Sequence, residues 1–222
     1  MRRTRVKICC IGSLDEARLA VDHGADALGL VGPMPSGPGV IDHATVRAVI
    51  EWAPPPVVSF LLSKETEPAA IIEHVQRAGA QTVQLVDATT PETCAAVRAA
   101  LPGLRVVQVL HVQGPEVLEE AHRMAPWVHA LLLDSGNPRA AVPTFGGTGK
   151  IHDWTLSRRV VEAVAVPVFL AGGLRPSNIG SAIRAVRPFG VDICSGLRPD
   201  GHLDAVRLRA FVAAVREADE VA

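Results

Sequence analysis

Eight short apolar runs, each followed by an amphipathic segment, recur from one end of the 222-residue chain to the other. They lie at 6–11, 27–31, 57–62, 82–86, 104–112, 128–133, 166–170 and 191–194. Each is nearly continuous rather than alternating, which is the pattern of a parallel strand buried on both faces. The intervening spacing predicts helices over 13–23, 43–52, 68–78, 91–100, 115–124, 154–164 and 176–186, and a closing helix over 204–218. Local punctuation agrees: Ser13 with Glu16 three residues on reads as a capping box, and Gly24 and Gly79 follow predicted helix ends. Alternation selects the α/β class, and eight units select one closed (β/α)8 TIM barrel over residues 1–222. The competing arrangement is a five- or six-stranded flavodoxin-like sheet with Gly172-Gly173 as its phosphate turn.

Bulk properties narrow the partners. With 22 Lys and Arg against 23 Asp and Glu the net charge is −1, so neither nucleic acid nor an anionic membrane is expected as a partner. The basic start Met1-Arg2-Arg3-Thr4-Arg5 is followed by no signal-peptide core, and no apolar run approaches the roughly 20 residues of a membrane span. A cytoplasmic location is therefore the expectation. The four cysteines, Cys9, Cys10, Cys94 and Cys194, show no paired spacing that would indicate a zinc site or a disulfide framework. Side chains alternate along a strand, so Cys9 and Cys10 are expected on opposite faces, with at most one of them inside the barrel.

In a barrel the chemistry sits where the strands end. Two glycine-bearing turns follow the last two strands, Ala171-Gly172-Gly173 and Cys194-Ser195-Gly196. Glycine lets the backbone approach an anion closely, and the free N–H groups at a helix start attract negative charge. A phosphate group on Gly172, Gly173, Ser195 and Gly196 is the reading, although each turn alone also serves as a tight connection. Asp134 ends a very apolar strand and belongs at the mouth, as an acid or as the cap of a turn with Ser135. Cys9 shares a strand face with Lys7, whose charge would favour the thiolate and make Cys9 a usable base. His111, at the end of the fifth strand, is a further candidate for the ligand side. No cluster of histidines and carboxylates has metal-ligand spacing, so no metal is expected.

At these positions the chain resembles phosphoribosylanthranilate isomerase. The resemblance is carried in order by Lys7-Ile8-Cys9, Gly24-Ala25-Asp26-Ala27-Leu28-Gly29, Val83-Gln84-Leu85 and Leu132-Leu133-Asp134. It continues through Gly146-Gly147-Thr148-Gly149-Lys150 with Asp153-Trp154, Leu170-Ala171-Gly172-Gly173-Leu174, and residues 185–192 leading to Ser195-Gly196. The resemblance implies a cofactor-free barrel, monomeric or homodimeric. It would convert the small molecule N-(5-phosphoribosyl)anthranilate to its 1-deoxyribulose 5-phosphate isomer by an Amadori rearrangement in tryptophan biosynthesis. It further implies Asp134 as the general acid that opens the furanose ring, and Cys9 as the general base that removes the C2′ proton.

Departures gather around the aglycone. The family's arginine after strand two, which holds the anthranilate carboxylate, is replaced by Gly39 within Gly37-Pro38-Gly39-Val40-Ile41. Val86 takes the place of a histidine, followed by Asp87, and Gln108 stands where lysine is common. Cys10 replaces a glycine, and Cys194-Ser195-Gly196-Leu197-Arg198 replaces Ser-Ser-Gly-Val-Glu. Arg198 or Lys64 would then supply the carboxylate contact. Alternatives are a related isomerase of another N-(5-phosphoribosyl) amine, or a barrel that binds a phosphosugar without turnover.

Overall fold

A computed structural model describes residues 3–34, 39–136 and 152–221. Eight parallel strands close on themselves in chain order. They are β1 (Arg5–Ile8), β2 (Ala27–Val31), β3 (Val58–Ser63), β4 (Thr82–Leu85), β5 (Arg105–His111), β6 (Ala130–Asp134), β7 (Val168–Leu170) and β8 (Gly190–Ile193). The helices are α1 (Leu14–Asp22), α2 (His43–Trp52), α3 (Pro68–Ala78), α4 (Pro91–Ala100), α5 (Val117–Met124), α6 (Trp154–Ala163), α7 (Ile179–Val186) and α8 (Ala205–Val221). The closed barrel excludes the open flavodoxin-like sheet. None of the described helices is long and apolar enough to cross a membrane.

Helix starts are set by their caps. Ser13, Asp42 and Thr90 accept from the backbone N–H groups of Glu16, Thr45 and Thr93, and Pro68 and Pro91 open helices where no N–H is needed. Gly79 ends α3 in the left-handed conformation, φ 71°. The expected start of α7 at 176 moves to 179 for a local reason. Asn178 Oδ1 accepts from Arg175 N–H while its Nδ2 donates to the Gly173 carbonyl, folding 175–178 into a turn of its own.

Period-two alternation divides each strand between two cores. Outward side chains such as Ile8, Leu28, Leu61, Leu85, Leu131, Leu170 and Val191 pack under the helices. Inward ones, among them Phe60, Val107, Val109, Leu132 and Phe169, fill the barrel. Phe60, Phe169 and Phe189 meet edge to face, with centroids 5.8 and 5.4 Å apart. This aromatic stack belongs to the inward core, which presents Cys9, Cys10, Val86 and Ala171 towards the strand ends.

Candidate active site

Charge enters the barrel interior through Lys7 and Asp192, opposite each other on β1 and β8. Their ion pair is 2.9 Å long, with side chains 0% and 7% exposed, and Lys7 Nζ also lies 5.3 Å from the Phe60 ring centre. Burial alone would lower the Lys7 pKa. The Asp192 charge and the neighbouring Cys9 outweigh it and hold the ammonium above its ordinary range. Removing either partner would leave a buried charge alone, a change that costs about 3–5 kcal/mol. The sequence reading gave Asp192 no role. Its signal was present, a carboxylate in a buried strand at the same rung as a buried lysine.

Cys9 sits next to that pair. A methyl group added at Gly29 would stand 2.7 Å from Cys9 Sγ and 2.9 Å from Lys7 Nζ, so both atoms lie over the bare glycine of β2. Interaction with the Cys10 thiol lowers the Cys9 pKa most; burial and Asp192 oppose this, and Lys7 assists. Cys9 is thus the thiol that ionises first, while its neighbours raise Cys10.

The expectation that Cys9 and Cys10 face opposite ways is corrected. Strand β1 ends at Ile8, and Cys10 takes a left-handed φ of 61°, which turns its side chain back into the inward cluster that holds Cys9. A residue with a Cβ pays about 1–2 kcal/mol for that conformation. Cys10 in turn meets Gly39: a Cβ built at Gly39, itself at φ 72°, would lie 2.6 Å from Cys10 Cβ. The two departures therefore touch.

Asp134 closes β6, 7% exposed, and Oδ1 accepts from Ser135 N–H at 2.6 Å. It is both a turn cap and a buried acid. Burial is the main cause that pushes its pKa up to about 6, with the Asp192 charge adding and the Ser135 N–H and Lys7 opposing. A carboxyl near 6 holds or releases its proton close to neutrality, as a general acid must.

The glycine turns line the next strand ends. Gly172 and Gly173 are left-handed, φ 82° and 64°. Ser195-Gly196 opens a 3-10 turn, Ser195–Leu197, directly after Cys194. The backbone N–H groups of Gly172, Gly173, Ser195 and Gly196 have no acceptor among the described residues. A Cβ at Gly196 would run into the Leu174 carbonyl, and one at Gly172 would stand 2.9 Å from Ser135 Oγ. The two turns are thus packed against one another and against β6 by backbone contact.

The remaining candidates fall on both sides of this frame. His111 pairs in register with Asp134, and Nε2 donates to the Val86 carbonyl at 3.2 Å, leaving the Nδ1 lone pair buried and unpartnered. Burial lowers its pKa, so the ring is neutral near pH 7. Val86 itself is buried in the inward cluster, and Gly39 is exposed at the rim. Arg198 is held by its neighbours after β1. Nη1 lies 2.9 Å from Glu16 Oε1, and Nη2 donates to the Cys9 carbonyl at 3.3 Å. The Ser13 half of the expected capping box forms, while the Glu16 carboxylate takes the Gly12 and Leu203 N–H groups instead and clamps the loops after β1 and β8. Lys64, half-buried just after β3, has no ion pair among the described residues. Gln108 faces outward, donating to the carbonyls of Leu85 and Asp87. Gly37, Pro38 and the Gly146–Lys150 motif lie outside the described residues.

Comparison with known proteins bears on this arrangement. Residues 6–214 match the family model of N-(5'-phosphoribosyl)anthranilate (PRA) isomerase. An N-(5'-phosphoribosyl)anthranilate isomerase of Desulforudis audaxviator is 37% identical over 97% of this chain and 99% of its own. That of Methanocella arvoryzae is 33% identical over 96% and 98%. The crystal structure of phosphoribosyl anthranilate isomerase from Thermotoga maritima superposes with a TM-score of 0.83 at 30% identity, covering 96% of this chain and 99% of that one. A phosphoribosyl anthranilate isomerase solved with reduced 1-(o-carboxyphenylamino)-1-deoxyribulose 5-phosphate superposes at 0.80 with 27% identity, covering 96% and 99%.

Proposed function

Because the chain belongs to the N-(5'-phosphoribosyl)anthranilate isomerase family, we propose that it catalyses the Amadori rearrangement of N-(5-phosphoribosyl)anthranilate in tryptophan biosynthesis. The names of the relatives favour this substrate over another phosphoribosylamine and over binding without turnover. The observation that carries the reading is a buried carboxyl with its pKa pushed up to about 6, Asp134, and an ionisable thiol, Cys9, turned into one barrel mouth beside two glycine turns whose N–H groups have no acceptor among the described residues.

The phosphate rests on Gly172, Gly173, Ser195 and Gly196, which leaves the ribose over the ends of β1 and β6. Asp134 gives its proton to the ring oxygen, the C1′–O bond breaks, and the nitrogen lone pair forms the Schiff base. The Cys9 thiolate then takes the C2′ proton, and the electron pair moves through C1′ to nitrogen to give an enolamine, which tautomerises to the ketone. Lys7 stands beside the thiolate, and the Asp192 charge helps keep the proton on Asp134. Of the two cations considered for the carboxylate, Arg198 is committed to Glu16, which leaves Lys64. The protein acts in the cytoplasm, as a monomer or a homodimer, on this small phosphoribosyl molecule.

The test is the loss of anthranilate fluorescence when purified protein meets freshly prepared phosphoribosylanthranilate. Turnover well above that of a Cys9→Ala/Asp134→Asn variant is expected. Equal rates for the two would overturn the reading.

A further inference from the structure

The backbone of Cys9 is held on both sides of its Cα by the chain that leaves β8. Its N–H donates to the Ile193 carbonyl at 2.8 Å, and its carbonyl accepts from Arg198 Nη2 at 3.3 Å. A side chain leaves Cα in a direction set by the backbone N and C, so these two bonds aim the Cys9 thiol at the space over Gly29, beside Lys7. The next residue needs the same support. Cys10 takes a φ of 61°, which glycine adopts freely and a residue with a Cβ resists. The Cys9 carbonyl belongs to the peptide plane that leads into Cys10, so the Arg198 bond also opposes rotation out of that turn.

Arg198 is itself braced. Nη1 lies 2.9 Å from Glu16 Oε1, and the two side chains are only 7% and 14% exposed. The Glu16 carboxylate also accepts from Leu203 N–H at 3.0 Å and Gly12 N–H at 2.9 Å, which ties the pair to the segments before α8 and α1. Arg198 Nε is buried with no hydrogen-bond partner among the described residues, so the two Nη contacts orient the planar group. Arg198 N–H donates to the Ser195 carbonyl at 3.1 Å and closes the 3-10 turn Ser195–Leu197. One residue thus closes the Ser195-Gly196 turn with its backbone and grips the Cys9–Cys10 turn with its side chain. Both Cys10 and Arg198 stand where the resemblance leads one to expect other residues, glycine at 10 and glutamate at 198.

We propose that Arg198 is a positioning residue for Cys9. Braced by Glu16, its guanidinium holds the Cys9 carbonyl, and with it the left-handed turn that a cysteine at position 10 disfavours. The value of this placement for catalysis rests on the isomerase reading; the grip on the backbone does not. Arg198 touches no reacting atom. Its N–H bond to Ser195 is made by the backbone and survives a change of side chain, so its loss should appear in kcat and leave KM, which reports binding at the phosphate turn, nearly unchanged.

The experiment places Arg198→Met and Arg198→Lys in the wild-type chain and in a Cys10→Gly background, and measures turnover of phosphoribosylanthranilate and urea unfolding. Arg198→Met removes both contacts, while Arg198→Lys keeps a charge for Glu16, and so a folded protein, without the fork that reaches both partners. Released from the grip, a cysteine at position 10 leaves the left-handed state, and kcat should fall by a factor of roughly 5–30, the population penalty of that state. A glycine has no such preference, so in the Cys10→Gly background the same substitutions should lower kcat only about twofold. Stability should respond in the opposite sense. Relaxation at Cys10 returns the strain, so Arg198→Met should lower the urea midpoint less in the wild-type chain than in the Cys10→Gly background. A part that merely stiffens the fold would move kcat and stability together. Equal kcat losses in the two backgrounds, a rise in KM without a fall in kcat, or a midpoint loss no smaller in the wild-type chain would overturn the proposal. The unfolding comparison requires no turnover, so absence of isomerase activity would defeat that reading while the midpoints still decide whether Arg198 holds the turn.

Discussion

At Gly172 and Gly196 an added methyl group would stand 2.9 Å from Ser135 Oγ or strike the Leu174 carbonyl, whereas across the mouth Val86 and His111 are joined by one hydrogen bond of 3.2 Å. The β6–β8 side is built from glycine backbone pressed against Ser135 and the Leu174 carbonyl, the β2–β5 side from side chains on strands whose register does not depend on them. Backbone contact leaves little room for substitution. A side-chain surface can exchange histidine for valine or arginine for glycine while the ladder around it stays intact. The departures from the family pattern follow this division, since Gly39, Val86 and Asp87 lie on the second side. Two further departures, Cys10 after β1 and Cys194 after β8, both pack into the inward cluster.

The largest effect is expected where the first side carries its acid. Asp134→Asn should lower kcat by about 100- to 10,000-fold, the range for loss of a general acid. The wild-type kcat/KM should fall as pH rises through about 6, where Asp134 loses its proton. Stability should fall over the same rise in pH. A carboxyl held near 6 in the fold against an ordinary 3.8 binds its proton more tightly folded than unfolded, so its burial destabilises the fold above about pH 6, by about 3 kcal/mol. That penalty fades as pH falls towards 3.8, below which both states are protonated. Asp134→Asn should therefore raise the urea midpoint at pH 7.5, and the gain should shrink at pH 4. An unchanged midpoint at pH 7.5 would mean that the carboxyl is solvated and ordinary.

A smaller loss, confined to binding, is expected at the turn itself. Gly173→Asp places a like charge and a Cβ where the phosphate would rest, at a φ of 64° that side chains rarely adopt. Losing one or two charge-assisted hydrogen bonds, at about 1.5–3 kcal/mol each, should weaken a ribose 5-phosphate analogue at least tenfold. Circular dichroism should still report a folded barrel. Unchanged affinity by calorimetry would move the phosphate to another part of the mouth.

The same division explains what could be read from residues alone. The eight strands were legible because continuous apolar runs and helix caps are local, and strand boundaries such as those of β2 agree residue for residue. The glycine turns were legible because close backbone approach leaves glycine as its trace. What escaped was pairing across the chain. Arg198 lies 182 positions from Glu16, and the clamp they form removed a residue expected to face the substrate. The Lys7–Asp192 pair depends on β8 closing against β1, a rung known only once the barrel is closed. The orientation of Cys10 was misjudged because strand alternation was extended past Ile8, into a residue whose backbone is left-handed.

The smallest effect probes the second side through that same residue. If Gly39 is glycine only because arginine is dispensable, then Gly39→Arg alone should restore the missing carboxylate contact and lower KM. The contact between the two residues argues otherwise. Any side chain at 39 would put its Cβ 2.6 Å from Cys10 Cβ, at a φ of 72° unsuited to it. Gly39→Arg is therefore expected to destabilise the fold without lowering KM. Cys10→Gly removes the obstructing Cβ and the strain at position 10, so the double variant should be more stable than the sum of the single changes, by about 1–2 kcal/mol. Only in that double variant should KM for phosphoribosylanthranilate fall. Additive stabilities, or a KM that falls as far in Gly39→Arg alone, would separate the two positions. The aglycone side would then be a set of independent exchanges, with no coupling to the strand that carries Cys9.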